Sequence, residues 1–287
     1  MSDLVDLSSL PPPEVVEDIS YPDLSVQIKA EIKGRFGAVG VDWDVDGLEA
    51  DGAVIQAENS AYREIALRTR INHVAQQGYL YFAEGSNADQ LASWLGVFRL
   101  DGESDERLKE RYRLATIGGS TGGPAERFRK IVLDTSVDVR DVAVWTERLD
   151  PTIHIAVLSS VGNGEPSTTL LNAVEAALLE PSVRLVNDRF NVQSAVRKTV
   201  DVTLSVRIAE SALDNVSNTV EETVQALWVK QKLLGLDMTQ AFLISAASSV
   251  EGITNVSVVS PAEDVVASEN EAIAIGLLTV DTIGRGR

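Results

Sequence analysis

Gly118-Gly119-Ser120-Thr121-Gly122-Gly123-Pro124 is the stretch on which the reading of this chain turns. Glycine pays the largest backbone entropy cost on ordering and proline has no amide to donate, so the run suits neither a helix interior nor a central strand. Before it, apolar residues recur with the helical period; after it, they alternate with a period of two. The boundary between a helical region and a strand-rich region is therefore placed in the run. Pro124 fits the first turn of a short helix over Ala125 to Val132.

Working upstream, Ser104 opens a helix through Leu108 and Tyr112 to Ala115, and Ser86 or Asn87 caps another over Ala88 to Leu95, stopped by Gly96. A longer helix runs from about Ala53 to Gln77. Its Ile55, Tyr62, Ile65, Leu67, Ile71 and Val74 wrap more than one stripe, which predicts contact with two neighbours. Asp23 or Ser25 caps a first helix through Gly34. Pro11, Pro12 and Pro13 make the region before it an extended arm.

Working downstream, Val137 to Trp145 and Ile153 to Leu158 read as a hairpin-like pair of strands. A helix capped by Ser167 and closed by Pro181 follows, then a returning strand over Phe190 to Ala195. The cleanest strand alternates Val200, Val202, Leu204, Val206 and Ile208 with polar residues. Helices over Val216–Lys230 and Thr239–Val250 and strands over Ile253–Val259 and Ile273–Asp281 complete the chain. The fold class is α+β: a helical N-terminal half followed by two small α+β units with mainly antiparallel sheets. The expected division is an arm over 1–22, a helical domain over 23–120, a central α+β domain over 121–198 and a C-terminal α+β domain over 199–287.

Composition narrows the function. The 287 residues carry 25 Lys and Arg against 43 Asp and Glu, a net charge of −18 that repels phosphate backbones, so no nucleic-acid partner is expected. The densest basic stretch, Arg63 to Arg70, contains Glu64 and reads as a salt-bridged helix face. The absence of cysteine removes disulfides, thiolate nucleophiles and Cys-zinc sites. There is no run of 18 apolar residues, so no membrane partner is expected, and the acidic start lacks the basic region of a signal peptide.

Three features imitate chemical sites. Asp42, Asp44, Asp46 and Gly47 resemble the opening of a calcium loop, but Ala53 stands where the bidentate glutamate belongs. The glycine run lacks the Gly-Lys-Ser/Thr ending of a phosphate cradle and reads as a flexible hinge. His73 and His154, the two histidines, have no ligand or triad partner at helical or strand spacing. No catalytic, cofactor or metal residue is assigned, and no enzyme is expected.

The residues carry a resemblance along nearly the whole chain. Glu58-Asn59-Ser60-Ala61-Tyr62-Arg63-Glu64, Ala83-Glu84-Gly85-Ser86-Asn87-Ala88-Asp89-Gln90-Leu91, Gly96-Val97-Phe98-Arg99-Leu100 and Glu103-Ser104-Asp105-Glu106-Arg107 follow one another as in the baseplate J-like proteins of P2-type phages. Gly162-Asn163-Gly164, Asn187-Asp188-Arg189 and Leu234-Gly235-Leu236-Asp237 resemble later segments of that family. The resemblance implies a structural wedge subunit of a contractile-tail baseplate, made in the host bacterial cytoplasm and resident in the virion tail. It implies pairing with a second copy and with another baseplate wedge protein, with adjacent wedges forming a ring around the hub and spike. The surface expected to enter a shared helical bundle is Ile55, Tyr62, Ile65 and Ile71. Rival readings are a tail-associated hydrolase, a calcium-dependent adhesion module, and a wedge protein of a headless tail-like bacteriocin or injection machine.

Overall fold

The change of period becomes a change of element type in the computed structural model, which describes residues 10, 11, 13, 17–43, 50–120, 123–211, 215–231 and 233–286. The chain divides into two compact units, one of residues 1–99 and 104–112 and the other of 100–103 and 113–287.

The first unit is helical. Its α1 (Tyr21–Ala38) and α2 (Gly52–Gln76) pack together, and α3 (Ser86–Ser93) and the first turns of α4 (Asp105–Ile117) follow. Helix α1 starts earlier than expected because Ser20 supplies the cap, its hydroxyl accepting from the Asp23 amide, and Pro22 needs no donor in the first turn. It also passes through Gly34 and Gly37, whose missing side chains weaken a helix without blocking it. Asp51 caps α2, accepting from the amides of Ala53 at 2.8 Å and Val54 at 3.2 Å. The Lys29–Glu58 ion pair, at 2.7 Å, crosses from α1 to α2.

The second unit holds α5 (Ala125–Thr135), β1 (Val139–Thr146), β2 (Thr152–Ser159), α6 (Thr168–Leu179), β3 (Arg189–Ser194), β4 (Val196–Ile208), α7 (Val216–Val229), α8 (Gln240–Ser248), β5 (Ile253–Ser260) and β6 (Glu271–Arg285). The α+β class holds, and the two three-stranded sheets, ordered β1-β2-β3 and β5-β4-β6, are mixed where mainly antiparallel sheets were expected. In each, the central strand has one antiparallel and one parallel neighbour. Parallel pairing follows from the connections. Helix α6 carries the chain back to the end at which β2 began, so β3 must run with β2. After α7 and α8, β5 returns against β4, and the next reversal sends β6 along the other side of β4 in the parallel sense.

Ala195 alone separates β3 from β4. Its amide donates to Val157 O in the first sheet at 2.9 Å, and the next amide, of Val196, donates to Asn270 O beside the second sheet at 2.9 Å. One extended run of chain thus belongs to both sheets. A shared apolar cluster joins Ala143, Ala156 and Leu158 of the first sheet to Val202, Leu204 and Val206 of β4 and to Val220, Val224 and Trp228 of α7. Trp228 is buried, stands edge-on to Phe242 with ring centres 5.2 Å apart, and satisfies its indole N–H on Ile273 O at 3.0 Å.

A polar node lies within the same unit. Arg129 of α5 and Asp141 of β1 are both buried and 3.7 Å apart, and the other Asp141 oxygen accepts from the Leu234 amide at 3.2 Å. A single carboxylate therefore ties helix, strand and the segment after α7 together.

Candidate functional site

Helix α2 presents the largest contradiction between composition and burial. It buries Val54, Ala57 and Ala61, yet leaves Ile55, Tyr62, Leu67, Ile71 and Val74 each more than half exposed. Of the four positions expected to form the interface, Ile55, Tyr62 and Ile71 are exposed and Ile65 is half-buried. They do not form one stripe. At about 100° per residue, Ile55 and Tyr62 lie about 20° apart, whereas Ile71 lies about 180° from Tyr62. Ile71 instead shares an arc of about 60° with Leu67 and Val74, on the other flank of the buried face.

The charges of α2 sort by face. Glu58 is taken by Lys29, and Arg68 bonds Glu64 at 2.6 Å and reaches Glu17 at 3.4 Å. Asn72 clamps the backbone of Glu17, donating to its carbonyl at 2.8 Å and accepting from its amide at 3.0 Å. The end of the arm is thereby fastened to α2; of positions 1–16, only 10, 11 and 13 are among the described residues. Arg63 and Arg70 are exposed and make no ion pair among the described residues, so the reading of this stretch as salt-bridged holds for Arg68 only.

Beyond α2 the chain is strapped by polar bonds. The Gln77 side chain donates to Phe82 O at 2.9 Å and accepts from the Glu84 amide and from Asn87, each at 3.0 Å. Arg99 bonds Asp89 at 2.6 Å and Asp105 at 2.5 Å, and Asp105 accepts from the Gly85 amide at 2.9 Å. That amide, and then Arg99, hold the Asp105 carboxyl below its ordinary value, outweighing burial. Burial is the strongest single influence on Arg99 and acts downward, but its bonds to Asp89 and Asp105 and their charges together leave it raised. Gly85 caps α3 at φ 51 and ψ −126, a conformation open to glycine, which moves the cap one residue before the expected Ser86. The segments that carry the family resemblance, Gly85 to Asp89, Arg99 and Asp105, are thus the members of one strap.

Asp44, Asp46 and Gly47 lie outside the described residues, and among the described residues no group of three or more His, Asp or Glu side chains could hold a metal ion. Thr121 and Gly122 of the glycine run also lie outside them. Gly118 is needed for space: an added Cβ would meet the Arg127 backbone at 2.8 Å. His73 is exposed, while half-buried His154 stacks on Trp145 with ring centres 5.4 Å apart and sits 3.1 Å from Asn191. Sequence reasoning passed over Trp94, 85% exposed, and Phe98, 69% exposed, because apolar residues beside a short helix signal burial as readily as exposure.

Comparison with known proteins meets this geometry on the same residues. The family model described as Baseplate J-like N-terminal domain matches residues 49–101, which hold α2, α3 and the strap as far as Arg99. The chain is 28% identical over 288 residues to Baseplate protein J of Escherichia phage P2, with 94% of each protein covered. A chain in the cryo-EM structure of the anti-feeding prophage (AFP) baseplate is similar with a TM-score of 0.41 and 12% identity, over 52% of this chain and 36% of that one. The chain is therefore similar to a baseplate J protein along nearly its whole length and to the baseplate J-like N-terminal family model over residues 49–101.

Proposed function

We infer that the chain is a structural subunit of a contractile-tail baseplate, located in the virion tail and acting within a multi-subunit assembly. One observation carries this reading: the segment matched as baseplate J-like is also the segment whose apolar residues the folded chain leaves uncovered. A helix with exposed apolar residues on two flanks gains stability when neighbours cover it. In finer detail, the subunit acts as a wedge, pairing with a second copy and another wedge protein, with wedges closing around hub and spike. It is made in the host cytoplasm. The helical unit is the part that enters the bundle, distinct from the strand-rich unit, and the chain turns over no substrate.

Immunoelectron microscopy of tail particles carrying a tagged copy tests the assignment. Label at the distal end of the tail is expected; label on the sheath or capsid, or none on the particle, contradicts it. Digestion of purified cell wall by the isolated protein is expected to be nil, and release of soluble fragments would favour the hydrolase reading. Capsid and terminase genes beside this one separate a phage from a headless bacteriocin or injection machine.

A further inference from the structure

We propose that one face of α2 is a docking site for an acidic amphipathic helix of a different polypeptide. The proposal rests on the baseplate reading for its setting and on α2 itself for its chemistry. Leu67, Ile71 and Val74 are 65%, 63% and 57% exposed and form the apolar stripe. Arg63 and Arg70 fall on the same side, and the five residues span about 100° of the helix, centred about 120° from the buried face. The stripe ends at a hollow of about 400 Å³ lined by Arg70, His73, Val74, Gln77, Gly78 and Asn87, large enough for a partner side chain.

Charge decides the occupant. The acidic residues of α2, Glu58 and Glu64, are both consumed by Lys29 and Arg68 on the side toward α1 and the arm. Two arginines without an ion pair among the described residues remain, in a chain with 43 acidic residues available to pair them. A carboxylate opposite each would complete what the chain leaves open. A second copy fits this face badly. A two-fold axis would set Arg63 and Arg70 of both copies along one seam, and like charges opposed across an interface are disfavoured. A partner helix with leucine-like residues flanked by Glu or Asp meets both requirements.

The test places the photo-crosslinking residue benzoylphenylalanine at Leu67 of the full chain and irradiates assembled tail particles. The crosslinked peptide, sequenced by mass spectrometry, is expected to be a helix of another subunit with at least two carboxylates beside its apolar stripe. The paired substitutions Arg63→Glu and Arg70→Glu should lower crosslink yield at least about tenfold, and Arg63→Gln with Arg70→Gln by less, each with unchanged circular dichroism. A crosslink to a second copy of this chain, or to a segment without acidic residues, overturns the proposal, as does no crosslink in particles that contain the chain. Absence of the chain from the particle would instead overturn the baseplate assignment.

Discussion

The two compact units bury apolar residues of different size. In the strand-rich unit the covered residues include Trp228, Ile155, Leu178, Leu204, Leu243 and Ile273. Among the described residues of the helical unit, the buried apolar ones are Leu24, Val54, Val97, Leu108 and five alanines, Ala57, Ala61, Ala83, Ala88 and Ala92. Hydrophobic stabilisation grows by roughly 25 cal/mol per Å² of apolar surface removed from water, so a core of alanine contributes little per residue. The larger residues of the helical unit, Tyr62, Leu67, Ile71, Trp94 and Phe98, face solvent. The strand-rich unit also exposes single residues, Leu149 and Val186 in connections and Val259, Leu277 and Ile283 on its strands. The difference teaches that the strand-rich unit covers most of its large apolar side chains within its own fold, whereas the helical unit covers mainly small ones and leaves large ones at the surface.

The widest contrast comes from truncating the two kinds of residue. Trp228→Ala should cost about 3–5 kcal/mol in urea unfolding, through lost packing and an unanswered Ile273 carbonyl. Ile71→Ala should change the stability of the isolated chain by no more than about 0.5 kcal/mol. Comparable losses would erase the distinction between the halves. Next, Asp141→Ala should cost about 3 kcal/mol, because it strands buried Arg129 and the Leu234 amide together. Gly118→Ala should cost about 1–3 kcal/mol, since the new methyl meets Arg127 backbone and not a movable side chain.

The smallest effect belongs to the strap of the helical unit. Asp105 has a depressed carboxyl pKa in the folded chain, so it binds a proton less readily there than when unfolded. Its contribution is complete above the ordinary value of 3.8 and is lost as pH falls through the lower folded value. The protection of the Gly85 amide, its exchange rate relative to the intrinsic rate at each pH, should therefore hold as pH drops to the ordinary carboxylate range and fall only below it. Asp105→Asn should remove that dependence. A loss of protection well above 3.8 would show that the strap is not what holds Gly85.

Much of the fold was legible in the residues. The alternation from Val200 to Ile208 becomes β4, with Val202, Leu204, Val206 and Ile208 all buried, and the apolar spacing of Ala53 to Gln77 becomes α2 within a residue at each end. Strand direction was not legible. The side chains of β3 and β6 alternate whichever way the strand runs, and only the connections through α6 and past β5 set the parallel sense. For the candidate surface, the apolar positions of α2 were readable, but their exposure depends on which side α1 covers. Val54, Ala57 and Ala61 mark the covered side, and the Lys29–Glu58 pair, 29 residues apart, crosses it. Likewise, Arg68 finds Glu64 at helical spacing, whereas the isolation of Arg63 and Arg70 emerges only once every other charge on α2 has been placed.

The central claim is that the exposed residues of α2 are covered in the assembled particle. Hydroxyl-radical footprinting of the isolated chain and of intact tail particles measures this side chain by side chain. Leu67, Ile71 and Val74 should be oxidised readily in the free protein and be protected several-fold in the particle, while Leu204 and Trp228 stay protected in both. Equal oxidation of the α2 residues in both states would contradict the account.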